Sequence, residues 1–203
     1  MVAAIEKTVI TNKTERLYSL REYLAREEKS VYKHEFHNGK IVRMAGGKFK
    51  HNAIASNVVA TLKYLVKPLP KKFWVINSDQ KIYIESVDKA IYPDALVICE
   101  IPEYFEGRED TITNPLIIVE VLSDSTKNYD KTLKFDMYRS IPSFKEYVLI
   151  HQDRQKMTVY TKQIDATWVL KDYEGEDAVA ILYALHDCPL SLKRLYRGLK
   201  LKK

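Results

Sequence analysis

The sequence predicts a single α/β domain with a mixed central β-sheet flanked by α-helices. Two strongly apolar runs without apolar–polar alternation, residues 92–98 and 115–122, are typical of central strands, because strands with one face in water alternate apolar and polar residues. Apolar residues at helical spacing over 48–67 predict a long amphipathic helix. The chain has 203 residues, 46% of them hydrophobic, which is enough for one core. We therefore expect one domain over 1–203.

The first predicted elements are a short helix and a hairpin. Ser19 and Glu22 have the spacing of a capping box, in which each side chain accepts a hydrogen bond from the other residue's backbone, so a helix begins here. Asn38-Gly39 tolerates the positive φ angles of a tight turn and predicts a hairpin over 31–44. Strand alternation places Glu35 and His37 on the same face of this hairpin.

Strands and a second helix follow the long helix, which ends before Pro68. Strands at 73–76 and 81–84 precede the two apolar runs. N-cap candidates at 123–126 then predict a helix over 127–140.

The last part of the chain is predicted to be mostly extended. Residues 145–150 and 156–162 are expected to pair antiparallel, and 168–173 to form an outer strand. A basic helix is predicted over about 190–199, so that the core covers about 19–173.

Charge and composition limit the partners and the compartment. The formal charge of +6 and a pI near 9.1 favour a polyanionic partner, although solvated lysines would give the same balance. Two distant cysteines do not indicate a disulfide framework, and no apolar run reaches the roughly 18 residues of a membrane span. We expect a cytoplasmic protein. Aromatic residues on the late strands leave room for a homodimer, but a monomer stays open: Tyr147, Tyr160 and Trp168.

Two acidic residues, Asp94 and Glu120, lie at ends of the apolar runs. A buried carboxylate is costly without a cation or hydrogen bonds, because desolvation penalises its charged form. This predicts a site for Mg²⁺ or Mn²⁺, held by both carboxylates and by the Val121 carbonyl.

Lys134 is the predicted third member of the site. On a regular helix it points away from the polar face, toward the interior, and needs an acidic partner. That partner is Glu120 on the preceding strand, or Asp130 through an i to i+4 pair. Two carboxylates and a lysine suit phosphodiester hydrolysis, in which the ammonium steadies the attacking water or neutralises charge on the phosphate.

Several motifs carry a resemblance to the Uma-two family of restriction endonucleases. They are Tyr92-Pro93-Asp94, Ile118-Val119-Glu120-Val121-Leu122 and its continuation to Thr126, residues 130–138, residues 146–149, and residues 34–41 with His51. The resemblance covers about residues 19–168. It implies a restriction-endonuclease-like PD-(D/E)XK core and a metal-dependent DNA endonuclease, in which Asp94 is the first acid and Glu120 the second.

The chain departs from the wider superfamily at Leu122, where the usual motif has lysine. The Uma-two pattern places a lysine on the following helix, which here is Lys134. If Lys134 pairs only with Asp130, the alternative is a weak or inactive nuclease-fold module that binds nucleic acid or a protein partner. A third option is an enzyme acting on RNA or a nucleotide.

Further residues around this centre have expected roles, of which that of Glu35 is implied by the resemblance. Glu35 matches an additional acid, a third ligand or a water-positioning base. His51 is a phosphate contact or a surface or capping residue, Asp130 a structural or supporting acid, and Tyr138 a core residue or a hydrogen-bond donor in the site. Lysines 48, 50, 67, 71 and 72 and the basic residues of the C-terminal tail, 193, 194, 197, 200, 202 and 203, are phosphate contacts or solvated surface.

Overall fold

Two six-stranded sheets form the frame of the protein in a computed structural model that describes residues 16–123 and 127–201. Strands are numbered along the chain. The outer sheet contains β1 (His34–His37), β2 (Lys40–Arg43), β4 (Lys81–Ile84), β5 (Lys89–Ile91), β7 (Tyr104–Phe105) and β8 (Arg108–Ile112). The central sheet contains β3 (Phe73–Asn77), β6 (Ala95–Cys99), β9 (Ile117–Leu122), β10 (Glu146–His151), β11 (Lys156–Lys162) and β12 (Trp168–Glu174).

The central sheet is mixed, as the sequence predicts. Its order is β12-β11-β10-β9-β6-β3, and β9 and β10 are parallel while the other neighbours are antiparallel. The two apolar runs form β6 and β9 inside this sheet, where both faces are covered. The prediction of central strands is confirmed.

Different elements cover the two faces of the central sheet. Helix α2 (Phe49–Val66) covers one face, and Ile54, Val58 and Leu62 are fully buried there. On the other face, strands of the outer sheet and the third helix pack against the central strands. The predicted flanking by helices is therefore confirmed on one face, whereas a second sheet covers much of the other.

Local signals at the N-terminal side are confirmed. Helix α1 (Leu20–Glu27) begins after Ser19, whose hydroxyl accepts from the Glu22 backbone N–H, while the Glu22 carboxylate accepts from the Ser19 N–H. The β1–β2 hairpin turns at Asn38, which has a φ of 47°.

Helix α3 contains a π-helical turn that the sequence pattern did not predict. It runs through Lys127–Tyr129, a π segment Asp130–Lys134 and Phe135–Tyr138. In a regular α-helix, residues eight apart lie about 80° apart around the axis. The wider π turn reduces this angle, so that Asp130, Lys134 and Tyr138 lie on one side of the helix and are all buried. The N-cap candidates at 124–126 lie outside the described residues.

The predicted basic helix over about 190–199 is much shorter in the structure. Strands β13 (Val179–Leu182) and β14 (Cys188–Ser191) form a hairpin, and α4 is only Leu192–Leu195. Leu190 lies in the β14 ladder and is fully buried, so burial of the segment overrides its basic composition.

The late aromatic residues pack inside the protein. Phe135 of α3 contacts Tyr147, Tyr160 and Trp168, with ring centroids 4.5–6.0 Å apart. An internal cluster thus explains these residues, and the homodimer stays a prediction without support from them. Among the described residues, no helix is long and apolar enough to cross a membrane.

Candidate active site

Asp94 lies immediately before β6, where it extends the pairing of β6 with β9. The ladder ends with Ala95 opposite Val119, and Asp94 Oδ2 then accepts a hydrogen bond of 2.7 Å from the Val121 backbone N–H. Asp94 Oδ2 also lies 3.2 Å from His51 Nε2, in the first turn of α2. The strand junction and the helix N-terminus together fix this carboxylate.

Glu120 is held from the opposite side by α3. Its side chain projects from β9 and is almost completely buried. Glu120 Oε1 accepts hydrogen bonds from Lys134 Nζ at 2.9 Å and from the Tyr138 hydroxyl at 2.8 Å. The buried face of α3 therefore supplies both donors to one oxygen.

Lys134 points into the protein, as the sequence predicts, and pairs with two acids. Its ammonium lies 2.9 Å from Glu120 and 3.2 Å from Asp130 Oδ1. The Tyr147 hydroxyl donates to the Asp130 carbonyl at 3.0 Å, which ties the π turn to β10. Lys134 is thus shared between the strand acid and the helix acid.

The site carries more carboxylates than cations. Burial chiefly raises the pKa of Glu120 to about 8; Lys134 opposes this, while Asp94 and Asp130 add to it through their charge. Burial alone would lower the pKa of Lys134, but Glu120, Asp130 and Glu35 raise it above its ordinary value. The neighbouring acids thus favour the charged form of Lys134, whereas burial and like charge favour the protonated form of Glu120.

Glu35 reaches the same region from the outer sheet. It lies on β1, with Oε2 3.0 Å from His37 Nε2 and with Oε1 accepting from the Tyr92 backbone N–H at 3.4 Å. Burial would raise the pKa of Glu35, but His37 and Lys134 lower it overall. The contact with Tyr92, which lies between β5 and β6, places Glu35 at the seam between the two sheets, and Lys134 acts on it through its charge.

The His51 side chain is largely buried and lies between Asp94 and the backbone of Gly47. The hydrogen bond with Asp94 raises its pKa, although burial opposes that shift. Among the described residues, its buried Nδ1 has no hydrogen-bond partner. A Cβ at Gly47 would lie 2.8 Å from this Nδ1 and 2.3 Å from Asn52 Oδ1. A glycine at 47 thus lets the backbone lie against the His51 ring.

The donor atoms suit a hard divalent cation only in part. Carboxylate oxygens and unbalanced negative charge fit Mg²⁺ or Mn²⁺. Within residues 16–123 and 127–201, however, no three His, Cys, Asp or Glu side chains form a metal-binding group. The contact from Val121 to Asp94 uses its N–H, and its carbonyl as a metal ligand stays a prediction.

Tyr138 and His37 both contact carboxylates of the site, and sequence signals for these contacts exist. The Tyr138 hydrogen bond to Glu120 could have been inferred from its i+4 spacing to Lys134, given the π turn. His37 contacts Glu35, and strand alternation already placed both on one face. The backbone contact of Tyr92 with Glu35 had no local signal, because it joins two strands distant in the chain.

Comparisons with known proteins agree on the family and the fold. A family model, Uma2, described as "Putative restriction endonuclease", matches residues 20–192. A relative from Synechocystis sp., "Uncharacterized protein sll1609", is 35% identical over 165 residues, which are 81% of this chain and 92% of the relative. A second from that organism, "Uncharacterized protein slr1290", is 33% identical over 184 residues, 89% of this chain and 92% of the relative.

A solved structure has a similar fold. It is described as "a putative nuclease belonging to DUF820" from Anabaena variabilis, with a TM-score of 0.66 and 23% identity. The match covers 88% of this chain and 97% of that chain. The nuclease-like α/β fold expected from the sequence is therefore confirmed.

Proposed function

Because the chain belongs to the Uma2 family, we propose that it is a metal-dependent DNA endonuclease that hydrolyses phosphodiester bonds. The observation that carries the proposal is the contact of Lys134 with Glu120, at 2.9 Å. The helix lysine reaches the second acid of the motif, although Leu122 occupies the usual position of that lysine.

Each residue then has a role in the proposed reaction. Asp94 and Glu120 would hold Mg²⁺ or Mn²⁺, with the Val121 carbonyl, and the bound ion would supply Lewis-acid stabilisation of the phosphate. Lys134 steadies the attacking water or neutralises charge that grows on the phosphate oxygens. A lysine suits this task because its charge is compact and its chain can reach the site from α3.

The surrounding groups position these three residues. Tyr138 shares Glu120 Oε1 with Lys134 and so fixes the orientation of that carboxylate. Asp130 holds the ammonium from the helix side. Glu35 is proposed as the third acid, which orients water from the outer sheet.

DNA would approach from the side of Asp94 and His51. These two side chains are 18% and 17% exposed, whereas the Glu120 and Lys134 side chains are 4% and 10% exposed. His51 is therefore proposed as a phosphate contact that also holds Asp94. The net charge of +6 favours association with a polyanion.

A cleavage assay tests this function. Supercoiled plasmid and single-stranded DNA are incubated with the protein in Mg²⁺, Mn²⁺ or EDTA, beside Glu120→Ala and the exposed-residue control Glu103→Ala. We expect cleavage that requires a divalent metal, is lost in Glu120→Ala and is retained in Glu103→Ala. Cleavage in EDTA, or unchanged cleavage by Glu120→Ala, would contradict the proposal.

One observation favours a second function. Leu122 replaces the motif lysine, and in the structure Lys134 and Tyr138 both engage the Glu120 oxygen. The alternative is a nuclease-fold module that binds nucleic acid or a protein partner without cleavage. Salt-sensitive DNA binding with no cleavage in any metal would support it, and no DNA binding at low salt would indicate a protein partner.

A further inference from the structure

A cleft of about 610 Å³ lies between the C-terminal turn of α2 and strand β3. Four lysines line it, Lys63, Lys67, Lys71 and Lys72, together with Trp74 and apolar side chains. We call this the lysine cleft. Among the described residues that line it, none is acidic.

The four lysines form no ion pairs among the described residues, 16–123 and 127–201. Glu100 contacts this region through its backbone: its N–H donates to the Lys72 carbonyl at 2.7 Å, and its carbonyl accepts from Trp74 Nε1 at 2.9 Å. A concave surface with four lysines, none of them in an ion pair within the described residues, attracts an anion with several charges.

Trp74 adds an aromatic wall that is held in place. Its indole N–H donates a hydrogen bond to the Glu100 carbonyl, and Lys72 Nζ lies over the ring, 3.8 Å from its centroid. The residue is still 38% exposed. A fixed and partly exposed indole beside cations is suited to base stacking together with phosphate contacts.

The lysine cleft is separate from the candidate active site. Strand β3 runs antiparallel to β6, with Asn77 opposite Ala95 at the Asp94 end and Phe73 opposite Cys99 at the other end. Helix α2 begins near His51 and reaches the cleft at Lys63, a rise of about 18 Å along its axis. The cleft therefore lies at the far end of α2 from His51, and its lysines lie beyond the Phe73 end of β3.

We propose that the lysine cleft binds single-stranded nucleic acid, with its lysines on the phosphates and a base against Trp74. A duplex keeps its bases stacked inside a convex rod and would leave the aromatic wall unused, whereas a single strand offers phosphates and free base faces together. The inference does not depend on cleavage at Glu120.

Binding is measured by Trp74 fluorescence and by anisotropy of a labelled 20-nucleotide oligo-dT. The protein carries Glu120→Ala and is kept in EDTA to exclude cleavage, and Trp168→Phe leaves Trp74 as its tryptophan. We expect oligo-dT to quench Trp74. Lys67→Gln with Lys71→Gln and Lys72→Gln should raise Kd at least tenfold and reduce the salt slope by about 2, since each single-strand phosphate contact contributes about 0.7.

Controls distinguish the cleft from general charge. A matched triple variant, Lys29→Gln with Lys145→Gln and Lys171→Gln, removes the same charge from exposed sites elsewhere and should change Kd less than threefold. An abasic strand of equal length should bind more weakly than oligo-dT, and Trp74→Ala should abolish that difference. Equal losses in the two triple variants, unchanged Trp74 fluorescence, or equal binding of a duplex or of an acidic peptide would overturn the proposal.

Discussion

Strands β9 and β10 are parallel neighbours, and each buries one glutamate in different surroundings. Glu120 on β9 is held by side chains, the Lys134 ammonium and the Tyr138 hydroxyl. Glu146 on β10 is held mainly by backbone: its two oxygens accept from the Tyr183 and Ala184 N–H groups at 2.9 and 3.3 Å. Burial raises the pKa of both, to about 8 for Glu120 and about 7 for Glu146.

The difference separates a structural carboxylate from a candidate catalytic one. The backbone donors of Glu146 belong to the 3₁₀ turn Tyr183–Leu185, so this carboxylate fixes the C-terminal hairpin to the central sheet. Glu120 instead interacts with further acids, Asp94 and Asp130, whose charge opposes its ionisation. A raised pKa therefore does not distinguish the two carboxylates, whereas the accumulation of like charge around a lysine is found only at Glu120 of the two.

The largest expected effect comes from Lys134→Met, which removes the ammonium and keeps an unbranched chain. We expect the cleavage rate to fall by about 10²–10³-fold, as when one preorganised charge-stabilising group is removed. The control is Lys81→Met, because Lys81 is equally buried and pairs with Asp110 at 2.7 Å outside the site. Its rate per folded molecule should be unchanged. If the Lys134→Met protein folds and cleaves within threefold of wild type, Lys134 is not needed for the reaction. Its contact with Glu120 would then not mark Glu120 as the catalytic glutamate.

The next largest effect concerns stability, for which we expect Glu146 to matter more than Glu120. Glu146→Ala leaves the Tyr183 and Ala184 N–H groups without their acceptor, at about 1–3 kcal/mol each, so we expect a loss of at least about 2 kcal/mol. In Glu120→Ala the buried ammonium keeps Asp130 as its partner, and the loss should be smaller. Urea unfolding of both variants in EDTA measures this. A larger loss for Glu120→Ala would show that both carboxylates are structural.

The pH dependence of stability sharpens the same contrast. The pKa of Glu146 is raised above its ordinary 4.5 to about 7, so the folded state binds more protons than the unfolded state between these pH values. Its contribution is complete below about pH 4.5 and is lost as the pH rises toward 7. Glu146→Gln should reduce the fall in stability by up to about 1.4 kcal/mol per pH unit in this window. The exposed-residue control Glu103→Gln should leave the slope unchanged, and an unchanged slope in Glu146→Gln would refute the assignment.

The sequence predicted the elements that depend on local signals. The Ser19 capping box, the Asn38-Gly39 turn and the apolar spacing of α2 all lie within a few residues of the structure they specify. The π turn of α3 does not, because it depends on packing of Asp130 and Lys134 against β9 and β10. The C-terminal helix is shorter than predicted for a related reason, since pairing of β13 with β14 decides the conformation of residues up to Ser191.

The candidate site shows the same limit. Asp94, Glu120 and Lys134 could be selected from apolar runs and helix spacing, and the structure brings them to one region of the seam. The positions of Glu35 and His51 could not be obtained from spacing, because they depend on the outer sheet lying against the central sheet and on α2 beginning beside Asp94.

The smallest expected effect tests the contact that holds Asp94 from α2. A Cβ on Gly47 would meet Asn52 and His51, and Asn52 Nδ2 now donates to the Gly47 carbonyl at 3.0 Å. Gly47→Ala should displace the His51 ring and weaken its bond to Asp94, which costs about 0.5–1 kcal/mol, or about a two- to fivefold loss of rate. Gly46→Ala is the matched control, because a Cβ there meets nothing within 4 Å. The contradicting result is that the two alanine variants cleave DNA equally well and have the same His51 imidazole NMR signals. His51 would then not position Asp94. The side-chain contacts that distinguish the site would be only those made by α3 and the outer sheet.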